Sequence, residues 1–260
     1  MVMLIDSIKI RVSWLMDVIL REDASAFGFM KNNNDPNLND FVNKLIPNLL
    51  KRRKEKRKKL NNKLNEIFEF YPDTKVPNRT RELLTTLVDD INYSEISKWG
   101  LDDNIIIRPT AKTITEFKEI ITEETKIMQT NVSAYIRNML NEYIMLSGYE
   151  RIKIVFMEEL DLIEKAYEKE NLFNFTYDRS DYSVAIYRVI PDPVFSNNIL
   201  IIAHDFNQNL LASFLLHKIK FAYIVEAKEN IYSDDMQDKV DEFLSSGQFF
   251  KDPVFSLEED

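Results

Sequence analysis

The chain contains no cysteine in 260 residues. That single absence excludes disulfides, thiolate catalysis and cysteine-based zinc sites together. Glycine is nearly as scarce, with four residues beside eight prolines, so glycine-rich phosphate loops and long flexible linkers have no raw material. Long apolar runs are missing too. Residues 105–107 and 199–203 are among the longest and fall far short of a bilayer span, so no membrane partner is expected. No basic start followed by an apolar stretch and a small-residue cleavage site is visible, and a cytoplasmic location is the expectation. Motifs such as GxGxxG, GxSxG, a phosphate loop or HExxH do not occur, so neither enzymatic activity nor a cofactor is expected. The two histidines, His204 and His217, lack the companions of a metal site.

What is present is enough apolar material, 45% of the residues, for two or three compact cores. The net charge of −9 is unevenly spread. Residues 1–70 carry 14 Lys/Arg against 9 Asp/Glu, a balance of +5. Residues 71–150 stand at −4 and residues 151–260 at −10. Such asymmetry assigns different partners to the two ends, with polyanion binding confined to the basic one.

Residues 7–13 (SIKIRVS) alternate with period two: Ile8, Ile10 and Val12 on one face, Lys9, Arg11 and Ser13 on the other, a strand with one buried face. A helix over residues 14–27 follows, then a turn-rich stretch, then a second helix predicted to start at Asn39 as N-cap and to kink at Pro47. The same order returns about 95 residues later. Residues 105–110 (IIIRPT) match residues 8–13, with Arg108 against Arg11 and Thr110 against Ser13. A helix predicted to open on a capping box at Thr113 and Glu116 comes next, and residues 131–144 match residues 37–50, with Ser133 against Asn39.

A strand and two helices in about 45 residues, twice over, resembles the bacterial ribbon-helix-helix fold at residues 7–50 and 104–146. The resemblance implies that two copies pair their strands into an antiparallel ribbon that enters the major groove of DNA. The pairing would join the two copies of one chain as a pseudo-dimer or join two chains in a homodimer. By position, Lys9, Arg11 and Ser13, and Ile106, Arg108 and Thr110, would face the groove. Asn39 and Ser133, at the starts of the second helices, would hold phosphates. The run at residues 51–59 (KRRKEKRKK), with Arg52 and Arg53, reads either as a phosphate-contacting arm or as a solvated helix extension. Residues 71–103 read as a connector containing a short helix over 79–90.

Beyond residue 151 the pattern changes to one helix, 157–170, and five short strands at 172–177, 182–190, 199–204, 210–217 and 221–227, which predict a small closed barrel. Residues 187–191 (YRVIP), 199–206 (ILIIAHDF) and 213–219 (SFLLHKI) resemble the WYL domain of bacterial regulators, a Sm-like or SH3-like barrel. The naming tripeptide is replaced here by Ile199-Leu200-Ile201. The resemblance implies a nucleic acid or small anionic ligand, for which Arg188, His217 and Lys218 offer matching chemistry. A helix and tail complete residues 231–260. The fold class expected is therefore α+β: two strand-helix-helix units (1–70 and 104–150) about the connector, then a barrel (151–230) and the C-terminal segment. Three functions follow from these resemblances: a DNA-binding transcription regulator, an RNA-binding accessory protein of a CRISPR effector, beside which such proteins occur, or a protein-interaction adaptor.

Overall fold

The computed structural model describes residues 6–69, 80, 84, 100, 103–127, 130–193, 195, 197–246 and 254–255. Apart from residues 80 and 84, both helical, the short helix expected over 79–90 lies outside the described residues. The chain divides into two units, Met1–Leu146 and Ser147–Asp260.

In the first unit, β1 (Ile8–Val12) and β2 (Asp103–Ile107) pair antiparallel within one chain. The register sets Ile8 against Ile107, Lys9 against Ile106, Ile10 against Ile105 and Arg11 against Asn104. The offset of 97 residues that aligns the two copies carries Lys9 onto Ile106, which is its own ladder partner. An approximate two-fold relation between the copies therefore passes through that pair. Ile10, Val12, Ile105 and Ile107 are buried on the inner face, as the period-two pattern requires.

Helices α1 (Trp14–Ala26) and α2 (Leu38–Glu69) follow β1. After β2 come α3 (Ile114–Glu119), a π-helical turn (Ile120–Glu124), α4 (Thr125–Ile127) and α5 (Val132–Ile144). The copies interlock: α5 packs on β1 and α2 on β2, while α1 meets α5 and α2 meets α3. Neither copy closes a core alone, because each strand is covered by the other copy's second helix. Leu20, Phe41, Ile136, Leu140 and Tyr143 meet in that shared interior, and Phe41 packs edge-on to Phe29 at 5.4 Å and to Tyr143 at 6.2 Å. Each such side chain contributes roughly 1.5–3 kcal/mol on burial.

Two local expectations are corrected. The N-cap of α2 is Asn37, whose Oδ1 accepts from the Asp40 N–H, and the matching cap of α5 is Asn131, whose Oδ1 accepts from the Ala134 N–H at 2.9 Å. Asn39 and Ser133 lie inside the first turns. Thr113 makes no side-chain cap: its backbone is helical rather than extended, and its hydroxyl oxygen accepts from the Thr110 N–H at 3.0 Å while donating to Asn43 Oδ1 at 2.6 Å. Helix α2 continues past Pro47 and includes the whole basic run.

The second unit opens with α6 (Gly148–Val155), held by a capping box between Ser147 and Glu150, and α7 (Met157–Glu168). Then come β3 (Leu172–Tyr177), β4 (Ser180–Pro191), β5 (Ile199–Asp205), β6 (Leu210–Leu215), a 3-10 turn (Leu216–Lys218), β7 (Lys220–Val225), α8 (Asp234–Ser246) and β8 (Val254–Phe255). The β3–β4 hairpin turns on Asp178 and Arg179, both at positive φ, as a two-residue turn compatible with strand twist demands. Phe173, Phe175, Tyr177, Tyr182 and Phe214 form one aromatic cluster. A second core packs Ala185, Tyr187, Leu200, Ile202 and Leu211 with Val240 and Phe243 of α8.

The sheet order is β7-β3-β4-β5-β6-β8, all antiparallel and open, so the closed barrel expected from five short strands is not formed among the described residues. The 3-10 turn separates β6 from β7, β7 returns to β3, and the outer edge of β6 takes β8 instead. Every residue of β5 is buried, which accounts for aliphatic Ile199, Leu200 and Ile201 at that position.

Candidate nucleic-acid interface

The outward face of the ribbon carries Lys9 and Arg11 from β1 and Asn104 and Ile106 from β2, all exposed, with Ile106 at 51%. An antiparallel pair sets side chains across from one another on one face, so Arg11 stands beside Asn104 and Lys9 beside Ile106. Two cations, an amide and an aliphatic group are the functional groups that meet guanine, adenine and a thymine methyl in a major groove.

Arg108 and Thr110 lie just past the end of β2. Arg108 has an exposed side chain, but its backbone is fixed: the N–H donates to Asn39 Oδ1 at 2.8 Å, and the carbonyl accepts from Asn43 Nδ2 at 3.0 Å. On the first copy, Arg137 Nη1 donates to the Arg11 carbonyl at 3.4 Å. Asn43 and Arg137 match at the helix offset and Arg108 and Arg11 at the strand offset, so the two bonds are counterparts. Ser13 lies outside the ribbon; its Oγ accepts from the Met16 N–H as the N-cap of α1. Thr110 is likewise engaged in the turn, its N–H donating to Asn43 Oδ1 at 3.1 Å and to Thr113 Oγ1 at 3.0 Å. Asn39 serves the Arg108 backbone, and Ser133 sits half-buried in the first turn of α5.

The basic run is split by its helix. Arg53 is only 7% exposed, with Nε 2.7 Å and Nη2 2.6 Å from Glu142 Oε1, and its guanidinium stacks 4.9 Å from the Tyr135 ring centre. It is a structural residue and cannot be a phosphate contact in this arrangement. Arg57 makes a two-pronged bond to Glu124, at 3.1 and 2.8 Å, and Tyr135 donates to the same carboxylate at 2.7 Å. Burial alone would raise the Glu124 carboxyl, but the bonds from Arg57 and Tyr135 outweigh it and hold Glu124 below its ordinary value. Burial likewise opposes the charge on Arg53, and Glu142 and Tyr135 together outweigh it. Arg52, on the neighbouring face, remains half-buried and pairs with no described residue.

The sequence reading missed two residues of this surface. Asn104 follows from the register, which fixes its place beside Arg11 once Lys9 and Ile106 are matched. Trp14, the first residue of α1, is 67% exposed next to the end of β1, and its match in the second copy is Ala111.

No known family of sequences and no curated protein matches the chain. A solved structure described as a CRISPR Cas-related protein shares the fold. It superposes with a TM-score of 0.62 over 95% of this chain and 72% of that one, at 12% identity.

In the second unit the three residues assigned to an anionic ligand do not converge. Arg188, on β4, donates to the Tyr187 carbonyl at 2.9 Å and lies 3.7 Å from Asp241 of α8. Lys218 lies 3.7 Å from Asp178 and 5.7 Å from the centre of the Tyr177 ring. His217 is largely buried, its Nδ1 has no partner, and burial followed by the charge of Lys218 lowers its pKa to about 4. A groove of about 410 Å³ between α7 and β4 borders Arg188, but Leu160, Ile163, Tyr167, Ile186 and Val189 make it mainly apolar, and Glu164 offsets the cation. Among the described residues no cluster of three or more metal-ligating side chains occurs. No helix among them is long and apolar enough to cross a membrane.

Proposed function

We propose that this chain is a nucleic-acid-binding regulator that acts without catalysis, reading the major groove of duplex DNA through the ribbon of its first unit. The observation that carries the proposal is the intrachain pairing of β1 and β2 about Lys9 and Ile106. It presents Lys9, Arg11, Asn104 and Ile106 together on one exposed face two strands wide, the width a major groove accepts. The interlocked strand-helix-helix copies support assignment to the ribbon-helix-helix type. The second unit, with helices ahead of a six-stranded antiparallel sheet in which β7 returns to β3, supports a WYL-type module that joins subunits or senses a ligand.

A second reading is favoured by the fold likeness to a CRISPR Cas-related protein: an RNA-binding accessory of a CRISPR effector. Fluorescence anisotropy with duplex DNA and single-stranded RNA separates the two. The Lys9→Ala/Arg11→Ala double variant changes only exposed side chains. It should lose at least about tenfold in duplex affinity, since each base contact is worth about 1–3 kcal/mol. Unchanged duplex binding would sink the ribbon proposal. Tight RNA binding that ignores the double variant would replace it with the second reading.

A further inference from the structure

Helix α2 sorts its basic run into two faces. At 100° per residue, Arg53, Arg57, Leu60 and Leu64 point one way, and there Arg53 and Arg57 are bound to Glu142 and Glu124. Arg52, Lys56, Lys59 and Lys63, spaced i, i+4, i+7 and i+11, form a separate stripe about a quarter-turn away. Among the described residues, Lys56 alone in the stripe approaches an acid, at 3.7 Å from Glu142 Oε2. Arg52, Lys59 and Lys63 pair with no described residue, although Glu55 precedes Lys59 by four positions and Glu66 follows Lys63 by three.

Like charges aligned along one helix face repel one another, and a face that was merely solvated would gain by alternating sign. Acids were available to do this. Glu119 and Glu124 serve other cations of the run, and Glu142 is held mainly by Arg53, with only a 3.7 Å approach from Lys56. That leaves Arg52, Lys59 and Lys63 without an acid among the described residues. From Arg52 to Lys63 it extends about 16 Å, enough to meet several phosphates of a nucleic-acid backbone. It begins about 20 Å along the helix from the end that touches β2, so it is distinct from the ribbon.

We infer that the Arg52–Lys56–Lys59–Lys63 stripe is a second nucleic-acid site, a sequence-independent clamp for a phosphodiester backbone, acting beside the base-reading ribbon. The inference rests on the nucleic-acid reading of the first unit and adds a separate surface to it.

The test compares the full chain with Arg52→Gln/Lys59→Gln/Lys63→Gln, and with Lys165→Gln/Lys169→Gln/Lys228→Gln as a control of equal charge change on exposed positions of the second unit. Affinities for a random-sequence duplex and for a single-stranded RNA of equal length are measured across a salt series. The stripe variant should flatten the plot of log K against log salt by about 2–3 on duplex, or about 2 on single strands. The control should leave the slope unchanged, and circular dichroism should find both variants as helical as the parent. A stripe variant with the parental slope on both probes overturns the inference, as does a control that flattens the slope equally. The ribbon reading fails separately, when Lys9→Ala/Arg11→Ala leaves duplex affinity intact.

Discussion

The two strand-helix-helix copies share an order, a strand pattern and matching N-caps, yet their charges have parted company. The first copy supplies Arg53, Lys54, Lys56 and Arg57; the second answers with Glu119, Glu124 and Glu142. A pairing of two first copies, or of two second copies, would set like charges against each other in the shared interior. The difference teaches that the second helices do more than cover the ribbon: their charges specify that unlike copies join. Buried ion pairs add little stability over an apolar core, and choosing between partners is their best-attested use.

Breaking that complementarity should give the largest effect. Glu142→Leu leaves Arg53 buried without a counter-charge and should cost about 3–5 kcal/mol in urea unfolding, and Arg53→Met in the same chain should restore much of it. Acid separates the two units next. The lowered pKa of His217 means the unfolded chain binds its proton more readily, so the contribution is complete above about pH 6.5 and is lost as the pH falls toward about 4. The loss in the second unit should approach about 3 kcal/mol, and His217→Leu should flatten the dependence. Glu124 in the first unit is shifted below its ordinary value, so its contribution persists to lower pH and fades as the pH falls through that depressed value. Near-ultraviolet dichroism followed from pH 7 downward should therefore find the second unit loosening first.

The hydrogen bonds at the ends of the ribbon sharpen the comparison on a smaller scale. Asn43→Ala removes bonds to the backbone of Arg108 and Thr110 and to the Thr113 hydroxyl, and should cost about 1–3 kcal/mol. Its counterpart Arg137→Ala removes a single, longer bond to Arg11 and should cost at most about 1 kcal/mol. Equal losses would mean that the ends of the ribbon are equivalent despite their different partners.

The ribbon was legible in the sequence because period-two burial needs only one apolar face, and the repeat itself announced a partner. The N-caps were displaced by two residues because Asn37 and Asn39 are both competent caps, and the choice was made from afar by the N–H of Arg108. Arg53 and Arg57 read as free cations because their carboxylates lie 89 and 67 residues away in the chain. The open edges of the second sheet were hidden for the same reason: the pairings of β7 with β3 and β8 with β6 join distant segments. The lack of convergence among Arg188, His217 and Lys218 also follows from that three-dimensional order, with β5 interposed between β4 and β6.

The joining of β1 to β2 also sets a clock. Ninety residues separate Val12 from Asp103, and ribosomes add about 5–20 residues per second. The first strand therefore waits roughly 5–20 s after its own synthesis before its partner exists. During that interval its apolar face and backbone edge are open to the nascent strand of a neighbouring chain on the same message. Two first copies meeting in that interval would bring like basic runs together, a repulsion absent from the native pair of unlike copies.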